Sequence, residues 1–74
     1  MNDETFEAIE FTTACEAIEY AEVGGLKAIT CMGRRFAITP AESDRLAAAG
    51  VEFAFLHEHL TPRGELRIVT VPVN

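Results

Sequence analysis

Thr39-Pro40-Ala41-Glu42, closed downstream by Gly50, constrains this chain more than any other segment. The Thr39 hydroxyl can accept from a free amide of the first helical turn, Pro40 has no amide to leave unsatisfied, and Glu42 completes a capping box. Gly50 stands where a left-handed C′ residue belongs, and Val51 after it can touch Leu46 in the apolar contact of a Schellman ending. The helix between them is therefore short. Its alanine run, Ala47 to Ala49, lets the backbone lie close to whatever surface Leu46 anchors it against, and we expect that surface to be a sheet.

The same punctuation recurs upstream. Thr13 and Glu16 form a capping-box pair, and Gly24-Gly25 ends the helix they open. Ala14, Ala17, Ile18 and Ala21 fall on one apolar stripe, with Glu16, Glu19 and Glu22 turned toward water, so this helix should pack by its small residues.

The remaining segments read as strands. Thr5–Phe11 mixes apolar residues with glutamates and is assigned as a strand. Lys27–Thr39 reads as a hairpin. A Gly33-Arg34 type II′ turn is expected there, because a Met32-Gly33 type I′ turn would force positive φ on methionine. That register pairs Cys31 with Phe36 and Ile29 with Ile38 on one apolar face. Val51–Leu60 and Glu65–Val73 form a second hairpin through Thr61-Pro62-Arg63-Gly64, which suits a type I turn with a G1 bulge. Its pairing sets Phe53 against Val73, Phe55 against Val71, His57 against Val69 and His59 against Arg67 on one face. Ala54, Leu56, Leu60, Leu66 and Ile68 share the other. Pro72 lacks a ladder donor, which makes the last strand an edge near its end.

The order is β-α-β-β-α-β-β, a small α+β domain with a mostly antiparallel sheet and two short helices expected on one face. It contains the ferredoxin-like β-α-β-β-α-β series with one strand added, so a ferredoxin-like variant is one available sheet order. Seventy-four residues allow a single domain, 1–74, with one core and a thin stability margin that association would reinforce.

Twelve acidic against six basic side chains give a net charge of −6, which repels phosphate backbones and argues against nucleic acid as a partner. Arg34, Arg35, Arg63 and Arg67 cluster at the two hairpin tips without the interleaved aromatics of a single-strand platform. No apolar run reaches the roughly 18 residues of a membrane span. The start of the chain lacks the features of a signal or transit peptide, and its two cysteines are widely spaced, so a reduced, cytoplasmic protein is expected.

Few residues suggest chemistry. His57 and His59, at i and i+2 on a strand, share a face and could chelate a divalent cation, although Arg67 opposite His59 would oppose the metal. Cys15 lies at the second position of the first helix, where the helix dipole favours a thiolate and the neighbouring glutamates oppose it. Cys31 aligns with Ile29 and reads as core. Gly24-Gly25 follows a helix, not a strand, and so cradles no phosphate. Ser43, the single serine, sits inside a helix, and no nucleophile and base stand in a catalytic context, so neither an enzyme nor a cofactor is expected. The reading that remains is a protein–protein interaction domain, as a homo-oligomer or accessory subunit. Its surface is the face of Phe53, Phe55, Val69, Val71 and Val73, with His57, His59 and Arg67 at the polar end. If the helices cover that face, the surface moves to Leu56, Leu60, Leu66 and Ile68. The alternative is a metal- or small-ligand-binding module built on His57 and His59.

Overall fold

The computed structural model describes residues 8–73, so the N-terminal part of the expected Thr5–Phe11 strand lies outside the described residues. The chain runs β1 (Ile9–Phe11), α1 (Ala14–Gly24), β2 (Lys27–Cys31), β3 (Arg34–Ile38), α2 (Pro40–Ala48), β4 (Phe53–Leu60), β5 (Leu66–Val73). This is the expected α+β series, folded as one five-stranded sheet of order β1-β3-β2-β4-β5 in which every neighbouring pair is antiparallel.

Local chemistry builds both helices as the sequence indicates. The Thr13 hydroxyl accepts from the Glu16 amide at 3.2 Å and donates to the Glu16 carboxylate at 3.0 Å, while Gly25 closes α1 with a φ of 67°. The Thr39 hydroxyl accepts from the Glu42 amide at 3.1 Å. At the other end of α2 the Gly50 amide donates to the Ala47 carbonyl and the Val51 amide to the Leu46 carbonyl, each at 3.1 Å. Those two bonds are the Schellman pair, and they turn the chain straight into β4.

The first hairpin corrects the expected register. Met32 and Gly33 are its central residues, with φ of 52° and 74°, so Cys31 pairs with Arg34 and Ile29 with Phe36. Left-handed methionine costs roughly 1–2 kcal/mol, but the pairing sets Ala28 opposite Ala37 and leaves Thr39 outside the ladder to cap α2. A shift by two residues preserves side-chain parity, so each residue keeps its face.

The two helices do not share a face, which corrects the second expectation. Ala17, Ile18 and Ala21 of α1 pack with Ala28, Ala37 and Leu56. Leu46 of α2 packs with Ile29, Cys31, Ile38 and Phe53, whose side chains point out of the opposite side of the sheet. The strand order explains the difference. The β1-α1-β2 connection crosses β3, the β3-α2-β4 connection crosses β2, and both step the same way across the sheet from strands that run in opposite directions. Right-handed crossovers then place their helices on opposite faces. In a ferredoxin-like arrangement the second crossover steps back the other way, so this sheet order departs from that pattern.

An ion pair ties β1 to the sheet. The Arg34 guanidinium donates twice to the Glu10 carboxylate, at 2.8 and 2.6 Å, and lies over the Phe36 ring. These hydrogen bonds hold the Glu10 carboxyl below the usual carboxylate range, with the Arg34 charge adding to the effect. A lowered folded-state pKa contributes stability that is present above the unfolded value and is lost as pH falls through the folded one. Both side chains are largely in water, which keeps the effect small. Thermal melts from about pH 6 down to pH 3 should therefore show an acid-side loss of stability that is reduced in Glu10→Gln. Identical profiles for the two proteins would show that the pair contributes nothing.

Candidate interaction surface

Strand length decides which part of the sheet the helices can cover. β4 has 8 residues and rises about 27 Å, whereas the 11-residue α1 spans about 16 Å and the 9-residue α2 about 14 Å. Pairing between β2 and β4 is confined to Ile29–Phe55 and Thr30–Ala54. Past Phe55 the β4–β5 hairpin continues with only its own two strands, paired without interruption from Phe53–Val73 to Leu60–Leu66. Its tip is the type I turn with a G1 bulge that the sequence indicates. The Gly64 amide donates to the Thr61 carbonyl at 2.9 Å and the Thr61 amide to the Glu65 carbonyl at 2.8 Å, with Gly64 at a φ of 82°.

The expected interface residues separate along this hairpin. Phe53, only 5% exposed beneath α2, belongs to the chain's own core and is withdrawn from the surface. Phe55 and Val73 are half-buried beside it, and the Phe53 and Phe55 rings meet edge to face at 5.5 Å. His57, His59, Arg67, Val69 and Val71 lie outside that cover on the α2 side of the sheet, with Val69 44% and Val71 48% exposed. On the α1 side Leu56 is buried, while Leu60 at 66%, Leu66 at 57% and Ile68 at 37% are open to solvent. Both of the alternative faces are thus covered at their root and bare toward the tip. The signal for this lay in the sequence: each strand of the second hairpin is longer than either helix can blanket.

The two histidines point to one face as expected, the His57 ring 6.4 Å from that of Phe55 and Arg67 opposite His59. Among the described residues no three histidine, cysteine, aspartate or glutamate side chains are grouped to hold a metal ion. A cation held by His57 and His59 would need its further ligands from outside the described residues or from water. Cys15 is exposed at the start of α1, and Cys31 is buried, its thiol 3.5 Å from the Glu52 carbonyl. Where the hairpin leaves the body an open cleft of about 280 Å³ lies between the Ile18, Ala21 and Glu22 side of α1, the Leu26–Ala28 segment and β4 from Phe55 to Glu58. No helix among the described residues is long and apolar enough to cross a membrane.

Charge divides along the same line as cover. The hairpin from Phe53 to Val73 carries Glu58 and Glu65 against Arg63 and Arg67 and is balanced, so the net charge of −6 resides entirely in residues 1–52. No protein-family model, curated protein or solved structure matches this chain.

Proposed function

We propose that this chain is a non-catalytic protein-interaction domain whose binding surface is the outer part of the β4–β5 hairpin. One observation carries the reading: the outer part of the hairpin leaves Leu60, Leu66, Ile68, Val69 and Val71 open to solvent on its two faces. Isolated two-stranded hairpins are marginal in water, so an arm of this length gains stability when a partner covers it. Apolar side chains contiguous on both faces, rimmed by Arg67, His57, His59 and Glu58, have the core-and-rim composition of an association surface.

Photo-crosslinking in the cells that make the protein tests this directly. With p-benzoylphenylalanine in place of Val69, irradiation should give covalent adducts to protein, whether a second copy or a different chain. The same residue in place of Val23, which is 92% exposed on α1, controls for mere accessibility and should give few. Adducts absent at Val69, or no more abundant than at Val23, would overturn the reading.

A further inference from the structure

Among the described residues β5 ends the sheet, and the turn chemistry reveals which of its backbone groups face outward. Thr61 and Glu65 form a hydrogen-bonded pair at the tip. In an antiparallel ladder bonded pairs recur at every second residue. With the observed register, Arg67, Val69, Val71 and Val73 therefore bond to β4, and Leu66, Ile68, Thr70 and Pro72 direct their main-chain groups to the free edge. Pro72 fits that alternation, because at an outward position its missing amide breaks no bond to β4. From Leu66 to Thr70 the outward donors and acceptors are intact. Arg67 is the sole charge there, and no bulge interrupts the ladder from Leu66 to Val73. Exposed edge strands are ordinarily guarded by several charges, a proline or a bulge, and the Leu66–Thr70 edge has only the one charge.

Resting on the interaction reading above, we infer that the partner is a second copy of this chain, joined β5 to β5 in an antiparallel pair about a two-fold axis at Ile68. Only this registration engages every outward group of Leu66, Ile68 and Thr70 while leaving Pro72 beyond the pairing. Moving the axis to Val69 would set the Leu66 carbonyl against the donorless Pro72. An antiparallel edge is its own complement under two-fold symmetry, so one strand supplies both sides of the contact. Ile68 then meets its own copy on the α1 side of the sheet, and Arg67 lies opposite Val69 of the other chain, not opposite a like charge.

Electrostatics favours the same occupant and the same place. The described residues 8–52 carry seven acidic against four basic side chains, so two such bodies repel at close range, and the balanced hairpin is where copies can meet without that penalty. In the joined sheet, β2 and its copy are five strand spacings apart, about 24 Å. That exceeds the screening length of about 8 Å at physiological ionic strength, so the acidic bodies scarcely sense each other.

The contact lies at the small end of specific interfaces, and the dimer should therefore fill between about 10 µM and 1 mM. Light scattering on the purified chain should show mass rising toward twice 8.1 kDa across that range. Thr70→Pro removes an outward donor without touching the β4 ladder, so it should stay at the monomer mass with an unchanged far-UV spectrum and melting temperature. Amide exchange on the unsubstituted chain gives an independent reading should that variant misfold. The Leu66, Ile68 and Thr70 amides should slow by roughly tenfold or more as concentration rises, whereas those of Arg67, Val69 and Val71 should be protected throughout. A chain monomeric at 1 mM by both methods overturns the inference, as does a dimer that a well-folded Thr70→Pro leaves intact or that fails to protect those three amides. A monomer whose Val69 position still crosslinks to a different protein removes this inference and spares the interaction reading. Absence of crosslinks with the mass monomeric removes both.

Discussion

Leu46→Ala should lower the unfolding free energy by about 2–5 kcal/mol, a large share of what holds so small a domain folded. Leu46 is fully buried and is the one large side chain that α2 inserts into the core; Ser43, the other buried residue of α2, turns its hydroxyl back onto the Pro40 carbonyl at 2.7 Å. Removing the Leu46 side chain opens a cavity among Ile29, Ile38 and Phe53 and takes away the anchor of the helix. A domain of this length has only about 4–11 kcal/mol of total stability, and each kilocalorie moves the midpoint by about 4–8 °C. A thermal melt should consequently shift down by at least about 10 °C, with the α2 amides losing protection first. A midpoint within about 2 °C of the parent would mean that α2 is not docked on this face.

The opposite face should fail by the opposite mechanism. Ala17 is fully buried and packs with Ala28 and Ala37, an alanine floor that lets α1 approach the sheet closely. Ala17→Leu adds volume where the packing leaves no room, and overpacking of this kind costs about 1–3 kcal/mol or more. The variant should melt several degrees lower, with exchange accelerated in α1 more than in α2. Swapping the two classes of residue, a large one on the α2 side and a small one on the α1 side, thus distinguishes the two faces of the sheet. Were Ala17→Leu neutral, the close approach of α1 to the sheet would be wrong.

What proved legible in the sequence was chemistry that acts within a few residues. The Thr13 and Thr39 caps, the Schellman ending at Gly50 and the bulged turn at Thr61–Gly64 each depend on a side chain and the backbone beside it. Once that last turn was identified, the β4–β5 register followed residue by residue. The first hairpin shows where local reasoning stopped short. The local strain at Met32 is outweighed by alignment of Ala28 with Ala37 beneath α1 and by the release of Thr39 to its capping role. The proposed binding surface was half legible. Its valines, histidines and Arg67 were correctly set on one face, but Phe53 is claimed by the core and the bare residues extend to both sides.

By itself the sequence determined where the two helices begin and end, how the second hairpin pairs, and which side chains of a strand share a face, since strand parity and helix caps are set by near neighbours. Only the tertiary structure decided that β4 lies beside β2, and with it that the helices occupy opposite faces and that the hairpin projects beyond both. The physical reason is that crossover handedness links a helix's side to the direction in which its connection steps across the sheet. That direction depends on strands far apart in sequence finding one another, and no short segment encodes it.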